Sequence, residues 1–165
     1  MKKLLFIMLV LIAGCDNPNS ETVKNDENKS IGIGQVLKTE YFDVTVNSAK
    51  FYKSVKAQEG LIDLPADSAI RYLLINVTFK NTNTESRTLF EGGPILINYN
   101  GKEYSYDEPE PTMAEGWGIF MDAINPMLTK TTYLVYKIPR EIKGDVFWRP
   151  NRADDDQKIL LLNAK

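Results

Sequence analysis

The chain has 165 residues, of which 43% are hydrophobic, and this is enough for one domain with a substantial core. Its net charge is −2, and its lysines and arginines are interleaved with acidic residues, so it lacks the basic stripe expected of a nucleic-acid-binding protein. It has no histidine, which argues against zinc sites and histidine-dependent catalysis. We therefore predict no nucleic-acid partner and no cofactor.

The N-terminus carries the signals of secretion and lipid attachment. Two lysines precede the apolar run Leu4 to Ala13, which is too short to cross a bilayer as a helix. The run ends in Leu11-Ile12-Ala13-Gly14-Cys15, which resembles the bacterial lipobox, in which a peptidase cuts before a diacylated cysteine. We predict that residues 1–14 are a lipoprotein signal peptide and that Cys15 is lipidated. The alternative is ordinary cleavage nearby, which would leave a free thiol.

A polar segment follows the cysteine. Residues 16–30 contain one apolar side chain, Val23, which is too few to bury a surface and order the chain. We therefore predict that residues 15–32 are the lipidated cysteine and a flexible tether, followed by a folded domain at residues 33–165. Two acyl chains anchor a protein stably. The predicted location is the cell membrane, with the domain facing the periplasm or the cell exterior.

The folded region alternates apolar and polar residues with a period of two, which predicts β-strands. In the segment Glu40 to Phe51, the residues Phe42, Val44 and Val46 share one face. The strongest prediction is Arg71 to Lys80, in which the following residues share one face: Leu73, Ile75, Val77 and Phe79.

Five more strands are predicted beyond residue 90. Asn100-Gly101 favours a type I′ turn, so Ile95 to Tyr99 and Glu103 to Tyr106 should form a hairpin. The remaining strands are predicted at the following segments: Thr131 to Ile138, Asp145 to Arg149 and Lys158 to Asn163.

The number of strands indicates the fold class. Seven or eight short strands without a long helix predict an all-β domain, most simply an antiparallel β-sandwich, with a small closed barrel as the alternative. Two connections, Ser54 to Ala69 and Pro109 to Pro126, are longer than hairpin loops. Long loops carry function more often than short ones, so we expect partner contacts there.

Five segments follow one another in a distinctive order: Phe42-Asp-Val-Thr-Val, Tyr72-Leu-Leu-Ile-Asn-Val-Thr-Phe-Lys-Asn, Asn98-Tyr-Asn-Gly-Lys-Glu-Tyr, Asn125-Pro and Tyr133-Leu-Val-Tyr-Lys-Ile-Pro. This order resembles a family of bacterial lipoproteins, a domain of unknown function often grouped with mycobacterial immunoprotective extracellular proteins. The resemblance covers Ile33 to Asn163 and implies an immunoglobulin-like sandwich. That family usually has a glycine and an acidic residue after the proline, where this chain has Met127 and Leu128. It carries no agreed catalytic or binding residues.

One long connection holds a candidate binding surface. In the Pro109–Pro126 connection, four large apolar residues lie within five positions: Trp117, Ile119, Phe120 and Met121. Aromatic side chains of this kind are enriched at binding hot spots. The alternative is that Trp117 and Phe120 fold back and close one end of the sandwich.

A candidate metal site lies near the C-terminus. Asp154, Asp155 and Asp156 form a dense acidic run, and calcium is bound by clustered loop oxygens. Three consecutive carboxylates cannot all face one ion, so any such site is expected to be weak, and the alternative is a solvated turn.

Together these features favour one function. We expect a membrane-anchored lipoprotein whose immunoglobulin-like domain binds a protein or another envelope component, and no catalytic residues. The alternatives are a small-ligand or calcium-binding envelope protein and a carboxylate-dependent envelope hydrolase.

Overall fold

The computed structural model describes residues 30–56, 64–88, 93–107, 123–154 and 157–165. These residues form β-strands and no helix. The strands are β1 (Ser30–Gly32), β2 (Val36–Lys38), β3 (Phe42–Tyr52), β4 (Ile70–Asn81), β5 (Arg87–Thr88), β6 (Ile95–Tyr99), β7 (Lys102–Tyr106), β8 (Ala123–Ile124), β9 (Thr129–Pro139), β10 (Gly144–Trp148) and β11 (Lys158–Ala164).

Most strands belong to two sheets that share one core. The first sheet has the order β1-β11-β10-β6-β7, the second has the order β2-β3-β4-β9, and β5 and β8 form a separate pair. All strand pairs are antiparallel except β1 with β11. The main hydrophobic cluster draws side chains from both sheets. The predicted immunoglobulin-like β-sandwich is therefore confirmed.

Strand β4 lies inside the second sheet and supplies much of the core. Its predicted inner face is fully buried and consists of Leu73, Ile75, Val77 and Phe79. Phe79 makes edge-to-face contacts with Phe42 at 5.9 Å and with Trp148 at 6.5 Å between ring centroids. Trp148 comes from β10 in the opposite sheet and is completely buried, so the aromatic contacts join the two layers.

Strand β3 follows its predicted alternation only as far as Val46. The register with β4 shifts between Val46 and Ser48, so Asn47 is an extra residue in a β-bulge. Beyond the bulge, Ala49 and Phe51 pack against the core instead of the residues at the original spacing. One inserted residue thus moves the inward-facing positions by one.

The hairpin of β6 and β7 agrees with the sequence. Asn100 and Gly101 have φ values of 51° and 71°, as a type I′ turn requires at both central positions. The strands pair from Ile95 with Tyr106 to Tyr99 with Lys102. The predicted hairpin is confirmed, with β7 starting one residue earlier than expected.

The second sheet also carries a small apolar cluster on its outer face. Leu64, Tyr72 and Val135 are buried there, and Val55 packs against them. The backbones of Val55 and Leu64 exchange hydrogen bonds of 3.0 and 2.9 Å. The described ends of the Ser54–Ala69 connection therefore cover the sheet, which gives them a structural role.

The shortest strands were not predicted. Strand β1 pairs with β11 and its Ile31 packs against the core, so Ser30–Gly32 belong to the sheet although the sequence analysis placed them in the tether. Strands β2, β5 and β8 also have only two or three residues. Such segments are too short to show an alternation.

Replacing Ile75 by Asp should unfold the domain. Ile75 is fully buried, and an unpaired buried charge costs several kcal/mol against a total stability of about 5–15 kcal/mol. Leu160→Asp, on a side chain that is 38% exposed, is the matched control and should change little. Thermal melts of both variants test this, and a cooperative wild-type melt for Ile75→Asp would contradict the core described above.

Candidate functional site

Loops from both sheets meet at the end of the sandwich where β4 finishes. The backbone N–H of Glu40 donates to the carbonyl of Arg152 at 3.3 Å, which links the start of β3 to the loop between β10 and β11. We call this region the Tyr41 end and define it by residues 39–41, 81–88, 123–128 and 149–154.

A tyrosine and two arginines form a cluster on this end. The guanidinium carbons of Arg87 and Arg152 lie 4.6 and 4.2 Å from the centroid of the Tyr41 ring. Arg152 pairs with Glu40 at 3.2 Å, and Arg87 pairs with Glu85 at 3.6 Å. Both carboxylates are largely exposed, so these ion pairs contribute little stability. The cation–π contacts hold the three side chains, the Tyr41 cluster, together at the surface.

Asn81 fixes the loops around this cluster. Its side chain is fully buried, and its amide nitrogen donates to the carbonyls of Glu85 at 2.8 Å and Ile124 at 2.7 Å. Its Oδ1 accepts from the backbone N–H of Asn83 at 2.8 Å. Asn83 in turn donates from its side chain to the carbonyl of Tyr41 at 2.8 Å. One buried amide thus connects β4, β8 and the loop that holds Tyr41.

A tight turn displays two apolar side chains at the same end. The N–H of Leu128 donates to the carbonyl of Asn125 at 3.1 Å, and Met127 has a φ of 64°. With Pro126 in the second position, these features match a type II turn, whose third position favours glycine or asparagine. Met127 and Leu128 are 67% and 56% exposed.

The acidic run is only partly described. Asp154 is exposed, and its backbone carbonyl accepts from the N–H of Gln157 at 2.9 Å. Asp155 and Asp156 lie outside the described residues. Among the residues that are described, no three His, Cys, Asp or Glu side chains are grouped so that they could hold a metal ion. The weak metal site at this run stays a prediction.

The other sequence-predicted site residues also lie outside the described ranges. They are Cys15, Trp117, Ile119, Phe120 and Met121. The chain that carries the four apolar residues leads into β8, which pairs with β5 at the Tyr41 end. In the part of the chain that the structure describes, no helix is long and apolar enough to span a bilayer.

At the opposite end of the sandwich, two arginine side chains donate hydrogen bonds to backbone carbonyls. The guanidinium of Arg71 lies 4.0 Å from the Phe51 ring centroid and donates to the carbonyl of Ile142 at 2.6 Å. Burial, together with the nearby charge of Arg140, lowers the pKa of Arg71. Arg140 donates to the carbonyl of Ile70 at 2.8 Å. These contacts tie the β9–β10 connection to the ends of β3 and β4, which indicates a structural role.

The described residues form a β-sandwich domain, and a comparison with known families shows to which family the chain belongs. Residues 31–147 match the family described as domain of unknown function DUF4352. The chain belongs to this family, which confirms the resemblance noted in the sequence. Among the curated proteins, none matches this chain.

Several solved structures share the fold. An uncharacterized β-sandwich protein from Clostridium difficile 630 has 24% sequence identity and a TM-score of 0.57, over 86% of this chain and 99% of that chain. A conserved hypothetical protein from Bacillus anthracis has 20% identity and a TM-score of 0.55, over 81% and 94% of the chains. The yjhA protein from Bacillus subtilis has 19% identity and a TM-score of 0.51, over 79% and 99%. At these identities the likeness shows the fold alone.

The Tyr41 cluster is not visible in the sequence. Arg152 and Glu40 are 112 positions apart, so only the fold brings Arg152 to Tyr41. Asn81, in contrast, is recognisable in the sequence, because it follows Val77 and Phe79 at the spacing of two that places residues on the inner face of the strand. A polar residue at a core position needs hydrogen-bond partners, and the loops at this end supply them.

Replacing Asn81 by Asp should destabilise the domain by roughly 2–4 kcal/mol at neutral pH. The new carboxylate would be buried and would face the carbonyls of Glu85 and Ile124. Both effects raise its pKa in the folded state above the unfolded value, so the stability lost at pH 7 should be partly regained as the pH falls.

Denaturant titrations at pH 7 and near pH 5 test this pH dependence. Asn98→Asp, at an exposed position in β6, is the matched control and should show little change at either pH. If Asn81→Asp matched that control, Asn81 would not organise the Tyr41 end.

Proposed function

We propose that this protein is a bacterial lipoprotein, anchored in the membrane through Cys15, whose domain binds another envelope component without catalysing a reaction. The observation that carries the binding function is the Tyr41 cluster. Tyrosine and arginine are enriched among residues that dominate binding energy. Hydrogen bonds from Asn81 and Asn83 hold this cluster on a preformed surface, which lowers the entropy lost on binding.

The membrane anchor is supported by the N-terminal sequence. Cys15 is the only cysteine of the chain and ends a signal-like apolar run. An unpaired thiol in an oxidising compartment would be reactive, and acylation removes it.

A binding function fits the chemistry of the described residues better than catalysis does. Every described Asp and Glu side chain is exposed except that of Asp43, which is half-buried. A glycoside hydrolase needs two carboxyl groups flanking a substrate in a cleft, one of them with a raised pKa. No specific observation favours the hydrolase or the calcium-binding alternative.

Cys15→Ser should move the protein from the membrane to the soluble or unprocessed fraction. Acyl chains cannot be attached to serine by this route, and two chains are needed for stable anchoring. Fractionation of cells labelled with palmitate tests this, with Ser20→Cys in the Cys15→Ser background as the control for a displaced thiol. Palmitate on the Cys15→Ser protein would contradict the anchor.

Replacing Arg87 and Arg152 together by Glu should reduce capture of an envelope partner by at least about tenfold, since loss of one hot-spot side chain alone costs about 2 kcal/mol or more. Lys53→Glu with Lys143→Glu is the matched control, because both lysines are exposed and the change in charge is equal. The measurement is cross-linking in whole cells that express the lipidated protein, followed by quantification of the captured material.

The outcome separates two candidate surfaces. If the arginine variant captures as much as the control, the Tyr41 cluster is not the binding surface. If Trp117→Ala with Phe120→Ala then abolishes capture without lowering the melting temperature, the surface lies in the Pro109–Pro126 connection. A large loss of stability in that variant would instead indicate that both aromatic side chains close the sandwich.

A further inference from the structure

The turn at residues 125–128 combines two unfavourable features. Met127 has a φ of 64°, a conformation that non-glycine residues adopt infrequently, at a turn position that favours glycine. Met127 and Leu128 are also among the most exposed large apolar side chains of the described residues, at 67% and 56%. Backbone strain of this kind persists mainly at functional sites. The positive φ of Met127 and the exposure of both side chains therefore indicate that this turn binds something.

The turn is rigidly attached to the sandwich. The N–H of Met127 donates to the carbonyl of Asn81 at 3.0 Å, and the N–H of Asn81 donates to the carbonyl of Leu128 at 3.0 Å. The hydroxyl of Ser86 also donates to Oδ1 of Asn125 at 2.6 Å. The backbone geometry that exposes the two apolar side chains is therefore fixed by the domain itself.

The chain that leads back to Cys15 leaves the domain at the same end. Ser30 pairs with Lys158, which directly follows the loop that carries Arg152. The carbonyl of Arg152 is bonded to Glu40 at the Tyr41 end. Ser30 and Leu128 thus lie at one end of the sandwich. The fifteen residue steps from Cys15 to Ser30 can span at most about 50 Å, so this end can reach the bilayer surface.

We propose that Met127 and Leu128 insert into the interfacial region of the bilayer that holds Cys15 and turn the Tyr41 end toward the membrane. This inference rests on the proposed lipid anchor. Apolar side chains at such a contact enter the boundary between headgroups and acyl chains. Lys80, which directly precedes Asn81 in β4, lies beside the turn, and its positive charge suits the phosphates of the headgroups.

The small size of the apolar surface formed by Met127 and Leu128 favours a bilayer over a protein as its binding partner. Two side chains provide much less than the roughly 800 Å² that each partner contributes to a stable protein interface. Full transfer of one such side chain from water into the bilayer shifts the equilibrium toward the inserted state by roughly tenfold to a hundredfold. That is too weak for binding from solution, but a lipid anchor makes the contact intramolecular and greatly raises the effective concentration. The contact would therefore orient a domain that is already anchored.

Site-specific fluorescence on the full-length lipidated protein tests the orientation. The chain has no cysteine besides Cys15, so Met127→Cys can be labelled selectively with a polarity-sensitive dye. Tyr52→Cys, at the 42% exposed last residue of β3 and the opposite end, is the matched control. The proteins are reconstituted in vesicles of phosphatidylethanolamine and phosphatidylglycerol that contain brominated acyl chains and no other protein.

The two labels should behave differently. We expect a blue shift and quenching by the bromine atoms for the label at residue 127, and the spectrum of a water-exposed dye at residue 52. Equal spectra in vesicle-bound protein would overturn the inference while leaving the anchor intact, and would point to a protein as the occupant of the turn. If mass spectrometry finds no acyl chain on Cys15, the proposed anchor and this inference both fail.

Met127→Gly provides a second test that needs no label. Glycine suits a φ of 64°, so the melting temperature should stay within about 2 °C of the wild-type value. A much larger decrease would show that the Met127 side chain packs against the protein, which would overturn its role in the bilayer.

Discussion

The arrangement of one end of this domain depends on the hydrogen bonds of a single buried amide. Asn81 occupies a core position at the end of β4, where its side chain cannot reach water. Its polar atoms are satisfied by carbonyl and N–H groups from the following loop and from β8. The requirement that buried polar groups be paired thus fixes where these segments lie, and with them the position of Tyr41.

The core explains why this end can be so well defined. Phe79, two residues before Asn81, contacts Phe42 in its own sheet and Trp148 in the opposite sheet. These large rings fill the space between the layers directly beneath the loops. Loops supported by a close-packed core lose little entropy when they bind a partner, because their conformation is already selected. The Tyr41 cluster inherits its geometry from this support.

Much of the fold could be predicted from the sequence because its long strands alternate clearly. The inner face of β4 and the hairpin at Asn100 were found in this way, since both depend on residues that are neighbours in the chain. The bulge at Asn47 and the short strand β1 were not found, because one depends on a register and the other on a partner, β11, more than a hundred residues away. The same reason hid the Tyr41 cluster. Its three side chains come from two loops and strand β5, and no local sequence pattern indicates a contact that forms only in the folded sandwich.

The two surface features at this end restrict what the domain can bind. The turn with Met127 and the Tyr41 cluster are both attached to Asn81 through hydrogen bonds, so they keep a constant relation to each other. If the turn contacts the bilayer, the arginines of the cluster lie close to the headgroups and cannot be approached from the side of the membrane. A partner must then itself be located at the membrane surface and approach along it. The proposed lipid anchor at Cys15 would suit this arrangement, since it would keep the domain within reach of such a partner and far from partners in free solution.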